Sequence, residues 1–146
     1  MVKITFYDEE KYLLTTSCSL MLPSIYGYMT GNTAPAVLNT LSCVISSMFW
    51  YYPIPGIRRN IDLLYQPLFA GYMLFLGNIY ESNIMYQMIG NGFFVSGTFL
   101  YNKSCERYRN GDRFWYIYHG LFHISMTTAA LCSYYSINQY RFLTKK

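Results

Sequence analysis

Charged residues are scarce in this chain of 146 residues. Asp, Glu, Lys and Arg make up 12% of the sequence, whereas about a quarter of the residues are charged in an ordinary soluble domain. Hydrophobic residues account for 53%. So little charge leaves few polar groups to cover the surface of a soluble fold. The composition therefore favours a helical bundle within a membrane over the alternative, a soluble helical core.

Other absences exclude several classes of function. The chain has 4 cysteines but no C-x-x-C pair, so neither a disulfide framework nor a zinc knuckle is indicated. No lysine lies inside the long apolar stretches, which excludes a Schiff-base retinal protein, and a potassium filter is excluded because no T-V-G-Y-G run occurs. The net charge of +4 comes without a basic face or motif, so we expect no nucleic-acid partner.

Five long stretches with almost no charge are present, and each approaches the roughly 20 apolar residues that cross a bilayer. They cover residues 12–29, 36–52, 61–79, 84–101 and 114–135. We therefore predict one transmembrane domain over residues 1–146, an all-α, multi-pass helical bundle of about five spans. Most of the 11 lysines and arginines fall on one side of this arrangement. The positive-inside rule then predicts an integral membrane protein with a cytoplasmic amino terminus.

The chain has 2 histidines, His119 and His123, and both lie in the last predicted span. At this spacing their rings leave one face of a helix about 6 Å apart along its axis, and neutral imidazole is a common zinc ligand. The predicted topology brings Ser47, Tyr51 and Asp62 to the same side of the bundle. Ionisable residues at membrane depth mark functional sites, so these five residues form our candidate site.

Uncharged polar residues recur every four positions in two of the predicted spans. Hydrogen bonding between helices explains such stripes better than a site does. The two stripes are Asn39, Cys43, Ser47 and Tyr51, and Asn83, Gln87 and Asn91.

The order of Ser47, Asp62 and a terminal H-x-x-x-H resembles the signature of the CREST-type membrane hydrolases. That superfamily includes the alkaline ceramidases, the adiponectin and progestin receptors and proteins that remodel glycosylphosphatidylinositol anchors. The stretch WYIYHGLFHI at 115–124 is similar to the last helix of the family. The stretch Leu13-Leu14-Thr15-Thr16-Ser17 is similar to the first helix of the anchor-remodelling branch.

The resemblance implies a zinc-dependent hydrolase that cleaves an amide or ester of a membrane lipid. His119 and His123 would be zinc ligands, Asp62 would orient the attacking water or act as a base, and Ser47 would support the developing oxyanion. The family has a third histidine four residues after its serine, where this chain has Tyr51, and it has seven spans.

The chain thus resembles a shortened and degenerate member of the family. We expect an incomplete zinc site, with Tyr51 or Asp62 in place of the missing ligand, and weak or no activity. The sequence leaves open whether the protein is an enzyme or a pseudoenzyme. The alternative is a non-enzymatic membrane bundle, such as a small channel or an assembly protein.

Overall fold

Six α-helices make up the fold in the computed structural model, which describes residues 7–80 and 83–144. They are α1 Tyr7–Cys18, α2 Met21–Met29, α3 Thr33–Tyr51, α4 Ile57–Ile79, α5 Ile84–Arg109 and α6 Trp115–Thr144. Helix α6 packs along α5 and also contacts α1, α2 and α4. The helix that carries both histidines is therefore the central helix of the bundle.

The transmembrane part of the predicted fold class is wrong. Among residues 7–80 and 83–144, no helix combines the length and the apolar content that crossing a bilayer requires. Helices α5 and α6 have 26 and 30 residues, more than the roughly 20 needed. However, α5 contains Asn, Gln, Ser and Thr, and α6 contains His, Ser, Thr and Tyr. The prediction counted uncharged residues as apolar, and the predicted membrane localisation and cytoplasmic amino terminus are wrong for the same reason.

The stretch predicted as a single span over 12–29 is two helices because it contains Pro23. A proline ring has no N–H group and clashes with the carbonyl four residues before it. Helix α1 therefore stops short of Pro23 and α2 begins just before it. At this break the carbonyl oxygen of Leu20 accepts a hydrogen bond of 2.7 Å from Asn39 Nδ2. Asn39 thus stabilises the break instead of joining two continuous spans.

The predicted loop over residues 102–113 is mostly helix, since α5 continues to Arg109. The prediction ended the span at its first charges, but charged residues by themselves do not end a helix. Lys103 and Glu106 form an ion pair of 2.9 Å one turn apart on this extension. The chain leaves the helix at Gly111, which has a φ of 70°, a conformation that glycine adopts readily.

Small polar side chains fill much of the interior, while many large apolar side chains are exposed. The fully buried residues include Ser17, Ser24, Ser42, Ser46, Ser104 and Ser136. The exposed apolar side chains include Leu64, Leu68, Phe75, Met88, Val95 and Phe99. Hydrogen bonds and close helix contacts therefore hold the interior of the bundle together, and apolar side chains make up much of its outer surface.

Both predicted polar stripes join helices, the first through bonds from Asn39 to α2 and from Cys43 to α1. Gln87 Nε2 and Asn91 Nδ2 donate hydrogen bonds of 2.9 and 3.0 Å to Asn78 Oδ1, which connects α5 to α4. Asn83 acts differently, because its side chain caps α5 by accepting a bond of 3.0 Å from the Met85 amide. These amides are therefore structural, as the interhelical interpretation expected.

Helices α2, α3 and α6 approach one another closely at Gly27. A Cβ added to Gly27 would lie 2.6 Å from Cε1 of Tyr134 and 2.9 Å from Cβ of Ala36. Tyr134 is 0% exposed, so its ring has no free space into which it can move. The close contact of the three helices therefore requires glycine at this position.

We expect Gly27→Ala to destabilise the fold, because the new methyl group overpacks this contact at a cost of about 1–3 kcal/mol. Denaturant unfolding followed by circular dichroism measures the change. Gly92→Ala is the matched control, since nothing lies within 4 Å of its added Cβ. The control should be neutral or should stabilise α5 by up to about 1 kcal/mol. Equal destabilisation by both substitutions would show that the contact at Gly27 is not tight.

Candidate functional site

A cavity of about 680 Å³ lies between α3, α4, α5 and α6, within the range of roughly 300–1,000 Å³ typical of ligand sites. Its apolar walls include Phe69, Met73, Leu74, Phe94, Met126, Ala129 and Ala130. Three ionisable residues from the sequence prediction, Asp62, His119 and His123, also line it. The fold therefore brings these three side chains, from two helices, to the same cavity.

His123 is held by hydroxyl groups of α1. Its Nδ1 lies 3.1 Å from Thr16 Oγ1 and 3.4 Å from Ser17 Oγ. Both hydroxyls also lie within hydrogen-bond distance of the carbonyl oxygen of Leu13, at 3.1 and 2.8 Å. These contacts hold the ring in either tautomer, because Nδ1 can donate to a hydroxyl or accept from one. The other ring nitrogen, Nε2, has no hydrogen-bond partner within the described ranges.

His119 lies one turn before His123, with the two ring centroids 4.9 Å apart. Its Nδ1 is 3.3 Å from Ser104 Oγ of α5. The ring of Trp50 meets it edge-on at a centroid distance of 4.9 Å, and Tyr101 lies at 5.8 Å. An aromatic wall from two other helices therefore fixes the orientation of this imidazole.

Burial keeps both imidazoles uncharged at neutral pH. It lowers the pKa of His119 to about 4. Burial lowers the pKa of His123 well below its usual value, and the neighbouring His119 lowers it further. Since neutral imidazole has one unprotonated nitrogen, the two rings offer hydrogen-bond acceptors and no positive charge.

Asp62 is a buried carboxylate with neutral hydrogen-bond partners. It is 8% exposed, and its Oδ1 accepts a bond of 3.0 Å from Gln66 Nε2. Burial raises the pKa of Asp62 to about 6, and hydrogen bonds from Gln66 and Ser46 partly oppose this rise. The carboxylate is therefore mostly ionised at pH 7 but takes up a proton in mildly acidic solution.

A chain of hydroxyl groups connects Asp62 to His123. Ser46 bonds to Asp62 and lies 3.2 Å from Ser17 through their Oγ atoms. Ser17 in turn lies 3.4 Å from His123 Nδ1. The carboxylate and the imidazole thus belong to one hydrogen-bonded network that links α4, α3, α1 and α6.

Neither Ser47 nor Tyr51 faces this network. Ser47 is half-buried and its Oγ lies 3.9 Å from Cys18 Sγ, and Tyr51 is 75% exposed. The residues that line the cavity are their predecessors in the chain, Ser46 and Trp50. The serine and the aromatic residue four positions later that line the cavity are therefore Ser46 and Trp50, whereas we expected Ser47 and Tyr51.

The error has a geometric cause. An α-helix turns by roughly 100° per residue, so three steps of four residues drift by about 120° around it. The last residue of the predicted stripe, Tyr51, therefore lies on a different face of α3 from Asn39. A series with spacings of three, four and four residues ends within about 20° of the face of Asn39. The residues of α3 that line the cavity follow this series: Asn39, Ser42, Ser46 and Trp50.

The residues present do not fit the zinc site that the resemblance implies. A catalytic zinc normally has three protein ligands and a water. In the part of the chain that the structure describes, no group of three His, Cys, Asp or Glu side chains lies close enough to hold a metal ion. Trp50 fills the space beside the two imidazoles, and its indole N–H has no lone pair with which to bind zinc.

Comparisons of the chain with protein-family models, with curated proteins and with solved structures gave no match. The resemblance to the membrane hydrolases therefore depends only on the short motifs in the sequence.

We expect Asp62→Asn to stabilise the fold at pH 8 and to have little effect near pH 4. Because the pKa of Asp62 is raised from 3.8 to about 6, the folded state favours the protonated carboxyl. The stability contributed by that preference is present below pH 3.8 and is lost as the pH rises through about 6. Asparagine imitates the protonated form, so the gain at pH 8 is about 3 kcal/mol. Urea unfolding at the two pH values measures it.

The control for this substitution is Asp112→Asn, which should act in the opposite direction. Hydrogen bonds from the Phe114 amide and from Arg107 lower the pKa of Asp112, so its ionised form stabilises the fold. Removal of that charge should reduce stability at pH 8. A loss of stability at pH 8 in both variants would contradict the placement of Asp62 in a site without a cation.

Proposed function

We propose that the protein binds an elongated apolar molecule with a polar head group in the central cavity. The observation that carries this proposal is the asymmetry of the cavity lining. Phe94, Met126 and Ala130 are typical of the apolar wall, whereas Asp62 and His123 supply buried acceptors. Ligand sites combine a mostly apolar surface with a few polar groups in this way. A lipid is the class of molecule that best fits such a lining.

We further propose that the protein is at most a weak hydrolase. The resemblance to lipid amide and ester hydrolases supports a lipid ligand, but Trp50 occupies the place beside the imidazoles where the family would have a third zinc ligand. With two imidazoles and no third ligand, metal-activated water lacks the usual support. Binding without rapid turnover is therefore the function that this arrangement favours.

A second candidate function is a scaffold that binds other proteins. The exposed apolar side chains, such as Leu68 and Phe75, favour it because extended apolar surfaces mark interaction sites. The two functions differ in what they require, since a scaffold does not need an open cavity.

The first test fills the cavity. We expect Ala70→Phe to weaken binding of the neutral fluorescent probe Nile red by about tenfold or more, because the ring occupies space that α4 leaves open to the ligand. Fluorescence titration of the purified protein measures the affinity. Ala34→Phe is the control, since Ala34 is exposed at the start of α3 and does not line the cavity. Equal binding by wild type and both variants would place the probe on the outer surface and would favour the scaffold.

The second test restores a ligand. We expect Trp50→His to raise zinc affinity on the order of 10–100-fold, the scale on which changes around a metal site act, because it places a third imidazole beside His119 and His123. Zinc content after dialysis and lipid-ester turnover are the measurements. Tyr51→His is the matched control and should change neither, since Tyr51 points away from the cavity. If zinc affinity rose in Tyr51→His and not in Trp50→His, the prediction from the sequence, in which Tyr51 faces the two imidazoles, would be correct.

A further inference from the structure

Asp62 has no cationic partner, although it is buried. Its hydrogen-bond partners are the amide of Gln66 and the hydroxyl of Ser46, and no Lys or Arg pairs with it among residues 7–80 and 83–144. A buried charge is costly unless an opposite charge lies beside it. The cavity therefore contains a buried negative charge whose positive partner the described chain does not supply.

His123 lines the same cavity as a neutral group. The ring is 3% exposed, and burial lowers its pKa well below the usual value, so that it does not compete with Asp62 for a positive charge. An ammonium group has three N–H donors and no acceptor. It can therefore pair with the Asp62 carboxylate and still donate to neutral acceptors of the cavity lining.

We infer that the ligand is a long-chain primary amine, whose ammonium group pairs with Asp62 and whose alkyl chain lies along the apolar wall. This inference rests on the proposed function and names the class of its ligand. A carboxylate head group would add a second negative charge beside Asp62, and like charges at short distance disfavour each other. An alcohol would satisfy the acceptors but would leave the buried negative charge unpaired.

Other ionisable groups line the cavity, and two of them oppose the inference. Arg59 of α4 and Arg109 of α5 are exposed, so water and salt screen their charges more than that of Asp62. Three further groups carry no charge at neutral pH: they are His119 and His123 of α6 with their lowered pKa values, and Tyr101 of α5, whose pKa burial raises to about 12. Cys105 and Tyr108 of α5 also line the cavity. An anionic ligand held by the two arginines is thus the competing outcome.

The inference predicts a specific dependence on pH. An alkyl amine has a pKa near 10.4, as lysine does, so it stays charged between pH 5 and pH 8. Asp62 takes up a proton as the pH falls through about 6, and the attraction for the ammonium group is then lost. His119 titrates only near pH 4. Between pH 5 and pH 8, a fall in amine affinity with falling pH therefore reports on Asp62.

The experiment compares three ligands of equal chain length, decylamine, decanol and decanoate, as competitors of Nile red. At pH 7.5 the concentration of decylamine that displaces the probe should be at least about tenfold lower than the concentration of decanol that does so. The reason is that hydrogen bonds to a charged group are stronger than those between neutral groups. At pH 5 this preference should largely disappear. Decanoate should be the weakest of the three at pH 7.5.

Asp62→Asn should remove the preference for decylamine at pH 7.5, so that decylamine and decanol displace the probe at similar concentrations. Asp62→Glu keeps the negative charge and should retain the preference for decylamine. If it does, the effect of Asp62→Asn comes from the lost charge and not from a change in the structure. Asp112→Asn is the control for a general loss of negative charge, because Asp112 lies in the turn before α6, away from the cavity. Circular dichroism confirms that each variant is folded.

The outcomes separate the inference from the function on which it rests. Equal displacement by decylamine and decanol, or a preference that survives in Asp62→Asn, overturns the amine. Tighter binding of decanoate that is lost in Arg59→Gln also overturns it and assigns an anionic ligand. In these cases the cavity still binds an apolar molecule. Failure of all three ligands to displace the probe, or displacement that Ala70→Phe does not affect, overturns the proposed function itself.

Discussion

The hydrogen bond between His123 Nδ1 and the hydroxyls of α1 is the interaction on which the rest of the site depends. It joins the first helix to the last, since Thr16 Oγ1 lies 3.1 Å from the ring nitrogen. The hydroxyls of Thr16 and Ser17 also lie within hydrogen-bond distance of the Leu13 carbonyl, so α1 holds them beside the ring and thereby orients the imidazole. A change in α1 would therefore alter the site without touching the cavity itself.

The same network shows why the interior of this bundle is polar. Ser46, Ser17 and Thr16 are small enough to let helices approach closely, and each bonds to a neighbour, so their burial costs little. Asp62 is the exception, because its raised pKa shows that its hydrogen bonds do not fully offset the loss of water. Groups that destabilise a fold in this way are concentrated at functional sites. The cost at Asp62 therefore supports the assignment of this cavity as the binding site.

Several elements of the fold can be predicted from the sequence without knowledge of the packing. The last apolar stretch predicts a helix that presents His119 and His123 on one face, and the structure has α6 there. Span ends near residues 79 and 84 agree with the ends of α4 and α5. The membrane prediction was wrong because tyrosine, serine and asparagine leave a stretch uncharged without making it apolar. The extension of α5 to Arg109 was missed for a related reason, since charge was taken as the end of a helix.

The helical segments and the shared face of the two histidines are predictable from the sequence, because they follow from a local period of 3.6 residues. The break at Pro23 was not predicted, and proline alone does not decide it, since Pro67 lies inside the continuous helix α4. Packing between helices places Ser46 and Trp50, and not Ser47 and Tyr51, on the cavity wall. A pattern of residues defines the spacing along a helix, whereas the rotation of that helix about its axis is set by the side chains of its neighbours. The orientation of His123 and the lack of a cation beside Asp62 have the same origin, in groups that are distant in the chain.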